Sequence, residues 1–249
     1  VVHSAAYLHR ETVLEIDGDR WEGLFNGYTQ SKWVAEKICK IACSRGIPVC
    51  IYRPGVISGH SQTGMGNTSD LLHTLLKGCI ELGSAPDLDA IWDFTPVDYI
   101  SQAIVHLSLQ AANVGKTFHL TNPKPIPLSD LVEAMTALGY PVQTIAHETW
   151  TLNLRDFVKQ KPSDIWESLL SVFPAELSEE HYQILKLKFD GENTLQGLKN
   201  TSITCPPVDH QLLSTYLSYL INYGFLKPPS TLATASEPDT RLSDTRPSL

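Results

Sequence analysis

Between Thr29 and Arg45 the apolar residues Trp33, Val34, Ile38 and Ile41 recur at the spacing of one helical face, and Gly46 and Pro48 end the pattern. This predicts a helix over 29–45. The run Ile47-Pro-Val-Cys-Ile-Tyr52 follows at once, short and unbroken, as expected of a strand buried on both faces of a parallel sheet. Arg53-Pro-Gly-Val-Ile-Ser-Gly59 reads as a loop leaving that strand. Gly- and Ser-rich residues continue it to Asp70, where a helix of about twelve residues is predicted to begin. A second helix–strand unit runs from Pro96, a permissible first-turn residue, through Leu109 to a strand at Thr117-Phe-His-Leu-Thr121. Helices alternating with buried strands define an α/β fold, and in such folds a long loop at a strand's carboxyl end is where ligands sit.

After Asn122 the pattern changes. Helical spacing dominates over 128–138, 149–159, 163–172, 178–187 and 209–223, with strand signal confined to 142–145. The predicted organisation is therefore a sheet-containing part over 1–121, within which 57–95 partly faces substrate, and a mainly helical lobe over 122–227. Residues 228–249 carry many Pro, Ser and Thr and no aromatics, and are expected to form a disordered tail.

Composition narrows the function. The 249 residues carry a net charge of −8 and no run of Lys and Arg, which argues against nucleic acid as a partner. At 42% hydrophobic and 18% charged residues, the chain has the make-up of an enzyme-sized folded body. No apolar run approaches the roughly 18 residues that cross a bilayer, and no basic flank precedes a signal-type segment, so no membrane association is expected. The five cysteines lack C-x-x-C spacing, which predicts buried core thiols and a reducing, cytoplasmic setting. Cys39 and Cys43 lie one helical turn apart without a matching His, and His3 and His9 suit strand ends, so no metal is expected.

The chemistry centres on Gly27-Tyr-Thr-Gln-Ser-Lys-Trp-Val-Ala-Glu-Lys37. Tyr28 and Lys32 are four apart at a helix start, which sets phenol and ammonium on one face. A neighbouring cation stabilises phenolate and makes the phenol a usable acid near neutral pH. A surface Tyr–Lys pair has the same spacing, so the spacing alone leaves both readings open.

The longer stretches around this pair resemble the extended short-chain dehydrogenase/reductase superfamily, in its thioester reductase branch. These are the reductive-release domains of nonribosomal peptide and polyketide assembly lines and of carboxylic acid reductases. The resemblance rests on Trp21 to Lys37, Ile51-Tyr-Arg-Pro-Gly-Val-Ile-Ser-Gly-His-Ser-Gln-Thr-Gly64, Leu75 to Pro86 and Thr95-Pro-Val-Asp-Tyr99. Phe189-Asp-Gly-Glu-Asn-Thr-Leu195 and Cys205-Pro-Pro-Val-Asp209 extend it, so that it covers residues 12 to 226.

The resemblance implies the carboxyl-terminal part of a doubly wound Rossmann-type sheet followed by a substrate lobe. It also implies NADPH-dependent reduction of a thioester, held on the phosphopantetheine arm of an acyl or peptidyl carrier protein, to an aldehyde or alcohol. Tyr28 would protonate the developing oxyanion, and Lys32 would hold the nicotinamide ribose and depress the tyrosine pKa. Pro54, Gly55 and Val56 would pass the nicotinamide, and His60 and Ser61 would meet the substrate. A Ser or Thr on an earlier strand would bond the carbonyl. Ser4 fits that place, but His3-Ser-Ala-Ala6 equally resembles the preceding strand of the family. Asp98 reads as a helix-start residue, and Trp150, Trp166 and Tyr182 read as lobe core. The family's Gly-rich pyrophosphate turn has no counterpart here, which makes a fragment of the family fold the expectation. Two rival readings are another extended family member, such as a nucleotide-sugar epimerase or dehydratase, and a noncatalytic remnant that binds a carrier protein.

Overall fold

The computed structural model describes residues 12–21, 24, 27–178, 182–183 and 185–229. His3, Ser4, His9 and all of the predicted tail beyond residue 229 lie outside them. The first half contains β1 (Thr12–Val13), α1 (Gly27–Ser44), β2 (Ile51–Pro54), β3 (Val56–Ser58), α2 (Leu71–Leu82), β4 (Ser84–Asp87), β5 (Ile91–Trp92), β6 (Phe94–Pro96) and α3 (Val97–Ser108). The second half contains β7 (Thr117–Leu120), β8 (Ile126–Pro127), α4 (Leu128–Ala137), β9 (Gln143–Ala146), α5 (His147–Gln160), α6 (Asp164–Val172), β10 (Lys188–Phe189), α7 (Glu192–Leu198) and α8 (His210–Asn222).

The first helix forms where its spacing predicts, but its apolar stripe does not face a core. Val34, Ile38 and Ile41 are exposed, and the buried residue of α1 is Glu36. The strand expected over 47–52 begins later, at Ile51, because Ile47 is spent closing the helix with its N–H on the Ala42 carbonyl. The ladder then runs on through the segment expected to be loop. β2 pairs in parallel with β7 up to Pro54, and β3 pairs in parallel with β6 from Val56. Gly55 is the handover: its N–H donates to the Leu120 carbonyl, and the next N–H, of Val56, donates to the Asp93 carbonyl.

The second helix is bounded by its own chemistry. Asp70 accepts the His73 N–H at one end, and Gly83 adopts the left-handed conformation at the other. Hydrophobic packing joins α2 and β4–β6 to α4, α5, α6 and α8 in one core around Trp150, Phe94 and Tyr216. A second cluster lies under α3, β7 and α7, and a third forms where Val13 and Leu24 meet Trp33 and Phe189. Trp150 and Trp166 are core, whereas Tyr182 is exposed. Of the five cysteines only Cys79 is buried and Cys39 is exposed, so the expectation of core thiols holds at one position. Among the described residues no helix is long and apolar enough to cross a membrane.

The strand pairs β1–β10 and β4–β9 are parallel, and β5–β8 is antiparallel. β10 and α7 were not foreseen. They follow the segment where a helix is expected over 178–187, of which 179–181 and 184 lie outside the described residues, 182–183 are helical and 185–186 form a turn.

Candidate active site

A buried arginine fixes the site's register. Arg53, the third residue of β2, grips Glu36 of α1 with two parallel hydrogen bonds, Nε to Oε2 at 2.9 Å and Nη2 to Oε1 at 2.6 Å. Its Nη2 also donates to the Asp17 carbonyl, and its Nη1 lies 3.1 Å from His119 Nε2. The other ring nitrogen of His119 lies 2.8 Å from the Asp190 carbonyl oxygen, an acceptor only, so Nδ1 carries the proton and Nε2 accepts from the arginine. Burial first, and then the arginine's charge, push the His119 pKa down to about 4, in keeping with a neutral ring.

The chain reverses over 45–50, so α1 runs antiparallel to β2. Lys32 and Tyr28 precede Glu36 by one and two turns on the same face. At about 1.5 Å per residue they lie roughly 6 and 12 Å from Glu36 along the helix, toward the carboxyl end of β2 where Pro54, Gly55 and Val56 leave it. Lys32 Nζ stands 5.4 Å from the centroid of the Tyr28 ring, over its face. Both side chains are exposed.

Pro54, Gly55 and Val56 line a cavity of about 560 Å³ whose other walls include Trp92, Asp93, Asn122 and Phe189. Asp93 enters here without any signal in the sequence. Its Oδ1 accepts from the Asn122 N–H at 2.6 Å and the Thr95 hydroxyl at 2.8 Å. Its Oδ2 is buried with no partner among the described residues and presses on Gly55, where an added Cβ would overlap the carboxylate. Burial outweighs the two hydrogen bonds and pushes the Asp93 pKa up to about 6.

His60 and Ser61 lie elsewhere. Their turn is closed by the Gly64 N–H on the His60 carbonyl at 2.9 Å and by the His60 N–H on the Met65 carbonyl at 2.8 Å. Ser61 gives its backbone N–H and its hydroxyl to the two carboxylate oxygens of Asp98, at 2.9 and 2.6 Å. Burial opposes the Asp98 charge, but the Ser61 bonds prevail and hold its pKa below the usual range. Asp98 is thus a loop anchor in the first turn of α3. Ser61 lines a separate cavity of about 370 Å³ with Pro206, Pro207 and Asp209. The structure therefore brings Pro54, Gly55 and Val56 to one cavity wall, while Tyr28 and Lys32 stand together on the exposed face of α1 and are not among the residues that line it. It keeps Ser61 apart from that cavity.

A buried carboxylate secures the same region from the other side. Glu15 accepts the backbone N–H groups of His119 and Asn193 at 2.8 and 2.6 Å, while Asp190 caps the Glu192 N–H at 2.9 Å. Sequence reading missed Arg53, Glu36, His119 and Glu15. The signal available was an arginine lodged between an apolar run and Pro-Gly.

Parallel strands joined by helices, with a Tyr-x-x-x-Lys helix flanking the strand that ends in Pro-Gly, define an α/β protein of the extended short-chain dehydrogenase/reductase class. A family model described as male sterility protein, an NAD-binding family, matches residues 2–104. A linear gramicidin synthase of Brevibacillus parabrevis is 35% identical over 206 residues, which are 82% of this chain and 4% of that protein. The L-2-aminoadipate reductase of Eremothecium gossypii, in its large subunit, is 31% identical over 233 residues, 91% of this chain and 17% of the relative. Among solved structures, the terminal R domain of the myxalamid PKS-NRPS biosynthetic pathway superposes with a TM-score of 0.79 at 40% identity, covering 89% of this chain and 56% of that domain. The chain belongs to the family of reductase domains of nonribosomal peptide and polyketide synthases. It spans a small part of the synthetases it matches and about half of the R domain.

Proposed function

We propose that this chain carries the proton-donating half of a thioester reductase. On this reading it serves the NADPH-dependent release of an acyl or peptidyl thioester, held on a carrier protein's phosphopantetheine arm, as an aldehyde or alcohol. The observation that supports it most is the Glu36–Arg53 clamp, which ties α1, the helix that carries Tyr28 and Lys32, to β2, the strand that ends at Pro54 beside Gly55. The residues fit a nicotinamide: the cavity is roomy enough for the ring, and its wall at Gly55 has no side chain. Pro54, Gly55 and Val56 would flank that ring, and Lys32 would reach its ribose.

When bound, NADPH supplies the hydride that adds to the thioester carbonyl carbon. The Tyr28 hydroxyl donates its proton to the carbonyl oxygen as charge builds there, and the Lys32 ammonium over the ring favours the phenolate left behind. Loss of the thiol by cleavage of the C–S bond then frees the aldehyde. Ser4, the proposed carbonyl donor, lies outside the described residues. The sheet part over 1–121 would hold the cofactor and the lobe over 122–227 the substrate, with α2 and β4 packed into the lobe's core. The tail over 228–249 would take no part.

The test is NADPH oxidation with a carrier-bound acyl thioester, for the wild type and Tyr28→Phe. The substitution should lower kcat by at least about a hundredfold while leaving the unfolding midpoint unchanged. An unchanged rate overturns the assignment of Tyr28. Carrier binding with no NADPH oxidation in the wild type would favour the binding-module reading instead.

A further inference from the structure

His119 is a buried ring that the chemistry above does not use, and each of its polar atoms has a partner. Its backbone N–H donates to Glu15 Oε1 at 2.8 Å, and its carbonyl accepts from the Thr194 hydroxyl at 2.9 Å. From that fixed backbone the ring reaches two ways, with Nδ1–H on the Asp190 carbonyl and Nε2 accepting from Arg53 Nη1. It also meets the Phe189 ring edge to face, with centroids 5.7 Å apart, and Phe189 lines the cavity at Gly55. His119 thus touches the cavity wall on one side and the arginine that grips α1 on the other.

Arg53 depends on this acceptor. A guanidinium carries five N–H donors in a rigid fork. Nε and Nη2 serve the Glu36 carboxylate and the Asp17 carbonyl. Nη1 has His119 at 3.1 Å and, beyond it, the Glu15 carbonyl at 3.5 Å, which is a weak bond. Without the imidazole nitrogen, that end of a buried cation would be held by one long contact, and the fork would be free to turn in its plane. Any such turn moves Glu36, and with it the helix that carries Tyr28 and Lys32.

We propose that His119 is a positioning residue of the reductase site: its Nε2 holds Arg53, and through Glu36 the helix α1, at a fixed place relative to the cavity wall at Phe189. The proposal rests on the thioester reading above and adds to it the residue that joins the wall to the helix. His119 touches no reacting atom, and its effect reaches the reaction only through α1.

Two substitutions separate the two bonds of the ring. A Gln amide reaches the place of Nε2 and an Asn amide that of Nδ1, so His119→Gln keeps an acceptor for Arg53 and His119→Asn keeps a donor for Asp190. Each loses one buried hydrogen bond, so both should lower the unfolding midpoint by a similar amount. Amide hydrogen exchange of α1, measured on the chain alone, should speed up about tenfold in His119→Asn and stay near the wild type in His119→Gln. With NADPH and a carrier-bound acyl thioester, His119→Asn should lower kcat about ten- to a hundredfold at little changed KM, and His119→Gln by less than about threefold. Equal effects of the two variants on exchange and on kcat would mean that His119 adds stability alone, and would overturn the assignment. A wild type that oxidises no NADPH overturns the thioester reading, while the exchange of α1 still decides whether His119 holds the helix. If His119→Asn fails to fold, the ring nitrogen resonances of the wild type decide: a bare, hydrogen-bonded Nε2 supports the proposal, and a proton on Nε2 overturns it.

Discussion

Replacing Arg53 with methionine removes the positive half of a buried ion pair and leaves Glu36 in place. Arg53 is 2% exposed and the Glu36 side chain 7%, so the stranded carboxylate has little water to turn to. Breaking such a pair costs about 3–5 kcal/mol. Lys40 Nζ, 3.4 Å from Glu36 Oε1, offers partial compensation, which sets the expectation at the lower end, about 3 kcal/mol. For a chain of this size that lowers Tm by roughly 6–12 °C. Urea and thermal unfolding followed by tryptophan fluorescence would measure it. The double variant Arg53→Met/Glu36→Leu replaces the pair with apolar volume and should return to within about 1 kcal/mol of the wild type. A single variant that loses less than about 1 kcal/mol, or a double variant that loses the sum of the two singles, would refute the claim that this pair locks α1 onto β2.

Further outcomes follow from the same geometry. Gly55→Ala, whose Cβ would overlap the Asp93 carboxylate, should cost about 1–3 kcal/mol in urea unfolding, and Asp93→Ala in the same chain should recover much of it. Gly64→Ala combines a φ of +72° with overlap on the Thr215 carbonyl and should lower Tm clearly more than Gly46→Ala, where φ is +90° and the space is open. His119 is held neutral with its pKa near 4, below the ordinary value of about 6.5. The unfolded chain therefore binds the extra proton between these values, and stability is lost as pH falls through that window. Asp93 acts in the opposite sense, because its native pKa of about 6 lets the folded state take up a proton first. Asp93→Asn should thus steepen the acid-side fall in stability, as pH-dependent urea titrations would show.

What could be read from the sequence depended on how local the cause was. Helices α2 and α8 carry their own boundaries, with Asp70 and Asp209 each accepting an N–H of the first turn, and both were found. The Tyr28–Lys32 face and the Pro54-Gly55-Val56 wall are contiguous in sequence and were equally visible. The strand at 51–58 was misplaced because its limits are set by β7 and β6, partners that hydropathy does not reveal. A buried arginine inside it looked like the start of a loop. Helix α7 was missed because it is short and partly held by residues far away, Glu15 among them. Asp93 was invisible as a site residue because its meaning comes from Gly55, on another strand.

The clasp between residues 13–15 and 187–190 bears on how the protein folds as it is made. Glu15 and Asp190, joined by the Glu15 N–H on Asp190 Oδ2, are 175 residues apart. At about 5–20 residues per second, a ribosome needs roughly 10–35 s to deliver the second after the first. Through that interval the Glu15 N–H lacks its Asp190 acceptor, Val13 lacks its partner Phe189, and Trp33 keeps an open face. Contacts so distant along the chain make for slow assembly, so this edge of the sheet closes late and stays open to a chaperone or protease in the meantime.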